Sequence, residues 1–358
     1  MRTVKSEDLK NVKQTLSGRL LRAGLRGGVV GMVPRLSVHS AVAAAGRNVH
    51  AVGLGRKIVE GAETQERCVR VYVVQKLPLS LLSPRDKIEE SIDGIPTDVI
   101  ESPPAFALKK KKIAAAATRE QRETCTEKKR KRQRPILGGI STAHFDITAG
   151  TLSCFCRSTK HGDDPSKVYA LSNNHVYADV NRAAIGDDLY QPGPADGGTG
   201  NDHFADLHRF VSIKLGGGVP NRVDAAIGEL LPQVEYLPEV CTIGRISAVG
   251  RAEEDMVVRK HGRTTGYTEG VVTDESYDAL VGMDHADPSV VALFEDQIRI
   301  QRIPPYPSFG LGGDSGSLVV EKGHQSAVGL YFAGPGDGSY GVANHIEDVV
   351  RELEIELL

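Results

Sequence analysis

The sequence contains no tryptophan, and aromatic residues make up only 5% of its 358 positions. It also has no uncharged apolar run approaching the ~18 residues that a membrane-spanning helix needs, so we expect no membrane partner. The first twenty residues carry charges throughout and contain no apolar core followed by small residues, so we also expect no secretory signal. These absences favour a cytoplasmic protein, with the nucleus as the alternative location in a eukaryotic source.

Cysteine is scarce as well. Five cysteines, an odd number, are spread over the whole chain, which argues against a disulfide framework and favours a reducing compartment. Cys154 and Cys156 stand two positions apart in a predicted strand and face the same side. The pair lacks further Cys or His ligands at metal-site spacing. We therefore interpret both as small buried apolar residues and expect no metal.

Glycine and proline are plentiful, with 39 and 18 residues, and they favour many turns and many short strands. After Pro135, short β-type segments alternate with turn residues for more than 200 positions. The last segment, IEDVVRELEIELL, has apolar residues available for packing along a helix. The sequence therefore predicts a mainly β fold that ends in a C-terminal helix. The β part is either a barrel, with two barrels as one variant, or a sandwich.

The first hundred residues differ from this β-rich region. Residues 1–48 are expected to form a helical or irregular extension, because apolar side chains recur at helical spacing after a plausible N-cap, Ser6. Those side chains are Leu9, Val12, Leu16 and Leu20. The β-type runs of residues 49–103 indicate a small α/β module. The main domain is expected to span residues 135–358.

Between these regions, residues 104–134 are predicted to form a basic flexible linker. Residues 109–134 contain 12 Lys and Arg against 3 Glu, a local charge of +9, while the rest of the chain has a charge of −11. Such blocks of like charge, without apolar periodicity, are typical of a solvated segment. The string KKRKRQR also resembles a localisation or polyanion-binding patch. Because the rest of the chain is acidic, we expect nucleic-acid contact only through this segment.

The pentapeptide Gly313-Asp314-Ser315-Gly316-Ser317 is the most informative motif. A serine hydroxyl becomes a nucleophile when a turn exposes it and a base removes its proton. The flanking glycines allow that turn and direct backbone N–H groups towards a tetrahedral oxyanion. The nucleophile elbow of α/β hydrolases needs a long helix after the serine, whereas a β-type run follows here. A plain glycine turn is the alternative interpretation.

His175 and Asp224 are the candidate partners of this serine. His175 follows the predicted strand VYALSNN, and Asp224 begins an apolar run. Taken alone, each has a structural interpretation, a packed histidine and a turn or capping aspartate. Their order along the chain, His175, Asp224 and then Ser315, is the order of the chymotrypsin arrangement and not of subtilisin or α/β hydrolases. Together the three motifs predict a catalytic triad.

With these three motifs, residues 135–358 resemble the chymotrypsin (trypsin-like) peptidase fold, a double β-barrel. Gly262-Arg263-Thr264-Thr265-Gly266 is similar to a string in bacterial enzymes of that fold, and Val328-Gly329-Leu330 enters the strand expected to line the cleft. More narrowly, AVGLGRKIVEG, IDGIPTDVIE, LSNNHV and GGDSGSLV resemble the intracellular trypsin-like family that includes the plant narrow-leaf protease and bacterial relatives. The resemblance covers residues 49–103 and 135–358 and implies that the small module belongs with the protease.

The resemblance implies a serine endopeptidase. Ser315 would attack a peptide carbonyl, His175 would act as general base, and Asp224 would orient the imidazole. The N–H groups of Gly313 and Ser315 would form the oxyanion hole. We expect no cofactor, a protein or peptide substrate, and leave a homo-oligomer open. His175 stands in Asn-Asn-His-Val and not in the Ala-His-Cys of secreted trypsins, so the neighbouring disulfide of those enzymes is absent.

The same resemblance places the substrate pocket. Phe309 would lie at its base, and its walls would include Phe332, Ala333, Gly334 and Gly341. We expect an open apolar slot and a preference for uncharged apolar side chains before the scissile bond. Asp337, on the intervening loop, is the one acid that could instead select Arg or Lys.

The sequence also allows two other functions and contains one candidate cleavage site. The chain could be a catalytically silent trypsin-fold interaction module, although such a module has no need of all three triad residues. It could be a nuclear or polyanion-binding regulator that uses the basic linker. Arg134-Pro135-Ile136-Leu137-Gly138-Gly139 superficially resembles the activation site of trypsin zymogens, but we interpret it as a domain start, since an Arg-Pro bond resists trypsin-like cleavage.

Overall fold

The computed structural model describes residues 6–22, 48–82, 87–107, 124–216, 218–284 and 290–358. Its first element is the helix α1 (Ser6–Ser17), which continues into a π-helical turn (Gly18–Arg22). The predicted apolar stripe is buried on one face, except that Leu20 is half-buried while the adjacent Leu21 is fully buried. The remaining residues of the predicted extension, 1–5 and 23–47, lie outside the described residues.

Four strands follow, together with a 3₁₀ turn at Leu79–Leu81. They are β1 (Val49–Val59), β2 (Ala62–Val73), β3 (Ser91–Ile92) and β4 (Ile95–Glu101). A two-residue turn, Glu60-Gly61, joins β1 to β2, and both residues have positive φ, as tight hairpin turns require. β4 pairs parallel to β2.

The next strands build a first barrel. They are β6 (Ser141–His144), β7 (Gly150–Thr151), β8 (Phe155–Ser158), β9 (Tyr169–Ser172), β10 (Asp188–Tyr190), β11 (His203–Phe210) and β12 (Ala226–Leu230). β7 pairs with β6, and β8, further along the same stretch, pairs with β9. The remaining pairings β9–β12–β11–β10–β6 close the ring. Two 3₁₀ turns, Pro194–Asp196 and Gly200–Asp202, lie between β10 and β11.

A second ring is formed by six strands of the C-terminal half. They are β15 (Val257–Gly262), β16 (Gly266–Gly282), β17 (Val291–Arg302), β18 (Leu318–Glu321), β19 (Ser326–Ala333) and β20 (Tyr340–His345). They pair in the order β15–β18–β19–β20–β17–β16, and β16 returns to β15. The predicted mainly β, chymotrypsin-like double barrel is therefore confirmed.

Short elements complete the chain. They are α2 (Cys125–Lys128), β5 (Ile136–Gly138), α3 (Asn174–Tyr177), β13 (Tyr236–Val240), β14 (Ala248–Val249), α4 (Ile346–Leu353) and β21 (Ile355–Leu357). The C-terminal helix α4 buries Val349 and Leu353 against β9, β12 and β19. No helix in the described part of the chain has the length and apolar content to span a bilayer.

The N-terminal strands continue the second sheet, because β1 pairs antiparallel with β16. The helix that packs on them is α1, which precedes the predicted α/β module, so the expected boundary at residue 48 separates elements that pack together. Along β2, Val69 and Val71 face α1. The alternate residue Tyr72 faces the second barrel, where its hydroxyl donates to Asp274 Oδ2 at 2.8 Å. The division into four domains stays a prediction.

The predicted flexible linker needs correction where it is described. Residues 104–107 are buried, residues 124–134 are exposed or half-buried, and residues 108–123 lie outside the described residues. Backbone hydrogen bonds to Gly282 and Gly334 hold the first stretch. A disulfide between Cys125 and Cys241 ties the second stretch to the fold, which contradicts our expectation from cysteine usage. An odd cysteine count conceals one pair that the fold brings together. Location in the cytoplasm stays a prediction and loses its support from the cysteines.

Candidate active site

His175 and Asp224 are brought together by strand register. β9 and β12 are antiparallel neighbours, with Ser172 opposite Ala226. His175 follows the end of β9 on the short helix α3, and Asp224 precedes the start of β12, so both lie at one rim of the first barrel. His175 Nδ1 lies 2.5 Å from Asp224 Oδ2, and the His175 backbone N–H donates to Asp224 Oδ1 at 3.1 Å. The carboxylate therefore fixes both the ring and the backbone of the histidine.

Three amides support this pair, and the sequence analysis missed them. The Asn173 side chain donates to the Asp224 carbonyl at 2.7 Å. The Asp224 N–H donates to Asn344 Oδ1 at 3.0 Å, and Asn344 Nδ2 donates to Gln297 Oε1 at 2.6 Å. Asn344 and Gln297 belong to the second barrel. The backbone of Asp224 is thus held by both barrels. Only Asn173, inside the LSNNHV string, was accessible to motif reading.

Ser315 lies on the loop before β18, against the first barrel. The Thr151 N–H donates to the Ser315 carbonyl at 2.7 Å, and Thr151 Oγ1 donates to the Gly313 carbonyl at 2.9 Å. Gly316 has φ +96°, and a Cβ there would lie 2.0 Å from the Thr151 carbonyl oxygen. The glycine after the serine is therefore required by this close approach.

Asp314 anchors the serine loop from below. It is fully buried and accepts hydrogen bonds from the N–H groups of Thr264, at 2.7 Å, and Leu311, at 2.8 Å, and from Thr265 Oγ1 at 2.8 Å. The buried Lys260 Nζ lies 3.6 Å from its carboxylate. Burial lowers the pKa of Lys260, and the Asp314 carboxylate opposes that shift. The GRTTG string therefore supplies the donors that hold the serine turn.

The same string orients the backbone at the predicted oxyanion hole. Thr264 Oγ1 donates to the Gly312 carbonyl at 2.7 Å. Because the C=O and N–H of one peptide unit point in opposite directions, the Gly313 N–H points away from Thr264. Gly313 has φ +94°, which only glycine adopts readily. This orientation leaves the Gly313 N–H available to an oxyanion.

The candidate nucleophile and the candidate base are buried. Ser315 is 2% exposed and His175 is 3% exposed. Ser315 Oγ donates to the Phe332 carbonyl at 3.2 Å, and His175 Nε2 is buried without a hydrogen-bond partner among the described residues. His175 Nε2 is therefore an unused imidazole nitrogen, and the Ser315 hydroxyl is turned to the backbone.

The residues predicted to form the pocket are buried, and they do not form an open slot. The Phe309 and Tyr331 rings pack together, and a Cβ at Gly341 would lie 2.6 Å from Phe309 Cδ1. Phe332 packs in another cluster, against Phe294, with ring centroids 4.7 Å apart. The expected opening is thus filled by Phe309 itself, since a large ring occupies the space beside the glycine. Ala333 and Gly334 are also buried, at the end of β19.

Asp337 does not reach this region. It is exposed, and its Oδ1 accepts hydrogen bonds from the Ser339 N–H at 3.0 Å and from Ser339 Oγ at 2.8 Å. Its carboxylate therefore belongs to a surface turn and gives no support to selection of Arg or Lys.

Two other sequence motifs have structural roles. Cys154 and Cys156 are buried, and burial raises the pKa of the Cys154 thiol to about 12 and that of Cys156 well above its ordinary value. Both remain protonated apolar packing groups, as interpreted. Ile136 is buried in β5, where its N–H donates to the Glu235 carbonyl at 2.9 Å. Ile136 therefore begins a folded segment. The Asp314 carboxylate, with which the freed N-terminus of a cleaved zymogen would pair, already accepts hydrogen bonds from other groups.

No protein-family model and no curated protein matches this chain. Among solved structures it is similar to protease A of Thermobifida fusca, at 14% identity and TM-score 0.42 over 62% of this chain and 98% of that one. It is similar to a glutamic-acid-specific serine protease, at 17% identity and TM-score 0.45 over 62% of this chain and 100% of that one. It is also similar to a Nocardiopsis protease, at 15% identity and TM-score 0.44 over 62% of this chain and 98% of that one. Likeness this remote does not by itself establish a function.

Proposed function

We propose that this chain is a serine endopeptidase that hydrolyses peptide bonds in protein or peptide substrates through His175, Asp224 and Ser315. The observation that carries the proposal is the buried His175–Asp224 pair, with its free Nε2, on the first barrel beside a serine turn that Thr151 ties to the same barrel. Asp224 thus holds His175, and Thr151 holds the Ser315 loop to the same barrel, which supports the proposal.

The chemistry follows from these positions. In the proposed reaction the Ser315 hydroxyl leaves the Phe332 carbonyl and gives its proton to His175 Nε2 as Oγ attacks the peptide carbonyl carbon. The N–H groups of Gly313 and Ser315 stabilise the resulting oxyanion. His175 then donates the proton to the leaving amine, and an acyl-enzyme forms. Water hydrolyses that ester by the same steps and restores Ser315.

Asp224 has an electrostatic and orienting role. Its carboxylate holds the Nδ1 proton of His175, so Nε2 is the basic nitrogen, and it stabilises the imidazolium that forms during each proton transfer. Because Asp224 is fully buried, this interaction acts in a medium of low effective dielectric constant, where it is stronger than in water.

Hydrolysis of a quenched fluorescent peptide library by purified variants tests the proposal. Ser315→Ala or His175→Ala should reduce kcat/KM by about 10⁴ or more, and Asp224→Asn by about 10⁴, with the fold intact by circular dichroism. Ser166→Ala is the matched control, because Ser166 is exposed and bonds only within its own turn. Equal hydrolysis by the parent and Ser315→Ala proteins would refute the assignment.

A further inference from the structure

Residues 103–107 run as an extended segment through the second barrel region. The Phe106 N–H donates to the Gly334 carbonyl at 3.0 Å, and the Gly334 N–H donates back to the Phe106 carbonyl at 3.1 Å, an antiparallel pair. On the other side, the Ala107 N–H donates to the Gly282 carbonyl at 3.0 Å. Tyr340 Oη donates to the Pro103 carbonyl at 2.6 Å. The segment therefore fills a gap between the ends of β16 and β19.

This gap adjoins the nucleophile. Gly334 follows β19, and Phe332, two residues earlier, accepts the hydrogen bond from Ser315 Oγ. Two residues of extended chain span about 7 Å. The backbone edge that Phe106 occupies is therefore a continuation of the strand beside Ser315. An extended peptide that reached Ser315 would add to this edge by main-chain hydrogen bonds, as peptides do at exposed sheet edges.

The enclosure of the site agrees with an occupied edge. Ser315 and His175 are almost fully buried, and His175 Nε2 has no partner among the described residues. Three surface cavities in the described part of the chain, of about 460, 350 and 270 Å³, are lined by other residues. Residues 103–107 therefore occupy the backbone groups of Gly334 that a peptide at this edge would use.

We propose that residues 103–107 are an internal ligand of the peptide-binding edge at Gly334 and hold this chain in an autoinhibited state. The proposal rests on the proposed function, since it assigns the substrate edge of the same site. Displacement of the segment would free the Gly334 N–H and carbonyl for an extended peptide. The inhibitory contact is made largely by backbone groups, so it competes with any peptide that can adopt the same extended form.

The segment also indicates which peptides suit this edge. Ala105 and Ala107 are buried among Phe332, Ala333 and Tyr340, so the positions flanking the Gly334 pair have room for small side chains. Phe106 is 8% exposed and packs against Val291. The edge is therefore suited to an extended peptide with an aromatic residue opposite Gly334 and a small residue on each side.

Tethering determines how strongly the segment competes. A segment joined to its site by a short linker has an effective concentration of roughly millimolar. If the segment itself binds the vacant edge with a Kd of about 100 μM, a free peptide would bind the intact chain about tenfold more weakly than the vacant edge. That factor is large enough to measure and small enough for a partner to overcome.

The test uses the full chain in a Ser315→Ala background and a fluorescein-labelled acetyl-Pro-Ala-Phe-Ala amide. Phe106→Pro removes the N–H that donates to Gly334, whereas Phe106→Ala keeps it and removes only the ring. If Phe106→Pro fails to fold, the triple variant Ala105→Gly, Phe106→Ser, Ala107→Gly weakens the strand without shortening the chain. Peptide binding is followed by fluorescence anisotropy and the Gly334 amide by hydrogen exchange.

We expect the Phe106→Pro chain to bind the peptide at least tenfold more tightly than the Ser315→Ala parent, with Phe106→Ala between them. The Gly334 amide should lose protection in Phe106→Pro and regain it when the peptide is added. With Ser315 restored, kcat/KM for an apolar peptide should rise by a similar factor. Gained peptide binding without hydrolysis would refute the peptidase and leave the internal ligand standing. Unchanged peptide binding in a folded Phe106→Pro or triple variant would overturn the internal ligand.

Discussion

His175 and Asp224 lie next to two strands that are hydrogen-bonded neighbours, whereas Ser315 lies on a loop held by groups from distant parts of the chain. Strand register brings the first two together, because the end of β9 meets the start of β12, and Asn344 adds one tertiary contact to the Asp224 backbone. The serine loop instead depends on Thr151 and on the GRTTG segment around Thr264. The candidate base is therefore positioned mainly by secondary structure, and the candidate nucleophile by tertiary hydrogen bonds.

The two carboxylates of the site differ in the same way. The Asp224 carboxylate bonds to the ring and to the backbone N–H of His175. Its replacement by a neutral amide therefore leaves no buried cation without a counter-ion. Asp314 lies 3.6 Å from the buried ammonium of Lys260, with both side chains fully buried. The serine side of the site therefore combines a role in stability with a proposed catalytic role, whereas the proposed role of Asp224 is mainly catalytic.

The largest effect should separate these two acids. Asp314→Asn leaves the Lys260 ammonium buried without an anion, and we expect a loss of about 3–5 kcal/mol in the free energy of unfolding. Asp224→Asn should lose much less stability although it abolishes most activity. Urea denaturation of both variants gives the comparison. Adding Lys260→Met to Asp314→Asn should restore part of the stability, and equal losses for the two single variants would end the distinction.

The disulfide should give the next largest effect. Cys125–Cys241 closes a loop of 116 residues and fixes the segment whose Arg130 donates to the Arg263 carbonyl, next to the serine loop. Cys125→Ser should lower the free energy of unfolding by about 2–4 kcal/mol. Denaturation with and without a thiol reductant provides the control, because the reductant should weaken the parent and leave the variant unchanged. A parent insensitive to reductant would contradict the pairing.

Acid should weaken the serine side through His261. Burial lowers the pKa of His261 to about 4, and its Nδ1 lies 2.9 Å from the Gly139 carbonyl oxygen. The unfolded chain has the ordinary value of about 6.5 and therefore binds the proton first as the pH falls. Stability contributed by the neutral ring is complete above pH 6.5 and is lost towards pH 4.

At pH 5 this loss should be about 2 kcal/mol relative to pH 7.5. His261→Gln should reduce the pH dependence of the free energy of unfolding by that amount, as measured by urea denaturation at both values. His324→Gln is the matched control, since His324 is 79% exposed by its side chain. An undiminished acid loss in His261→Gln would show that the buried histidine is not responsible.

The smallest effect should come from the histidine side. Asn344→Ala removes the acceptor of the Asp224 N–H and leaves that buried group unpaired, at a cost of about 1 kcal/mol. The contacts between Asp224 and His175 remain, so kcat/KM should fall by less than about tenfold. Peptide hydrolysis and urea denaturation measure both quantities. A loss as large as that of Asp224→Asn would mean that strand register is not what mainly positions this carboxylate.

Much of this architecture could be predicted from the sequence because it is written in local patterns. Short strands predicted a mainly β fold, and the family resemblance narrowed it to two barrels. The apolar stripe of α1 predicted a helix, and the order of His175, Asp224 and Ser315 predicted the composition of the candidate site. Their function remains a proposal. These features depend on residues near one another along the chain, or on an order that a motif preserves.

Other features depend on pairings that no local pattern specifies. Cys125 reaches Cys241 because the folded chain places α2 beside the end of β13, which a count of cysteines does not reveal. Phe309 fills the predicted slot because Gly341 leaves room for its ring. Residues 104–107 were assigned to the linker because four residues are too few to show a strand pattern. In the structure they pair with Gly282 and Gly334 at the ends of two strands.

Reaction of the full chain with a small fluorophosphonate, followed by mass spectrometry of the digested protein, shows whether Ser315 is an activated nucleophile. The reagent needs only an activated serine and an oxyanion hole, so it does not require an open peptide edge. We predict a single adduct on Ser315 that is lost in Ser315→Ala and reduced by at least about 10³ in rate in His175→Ala. An adduct on another serine, or labelling of Ser315 at the same rate without His175, would contradict it.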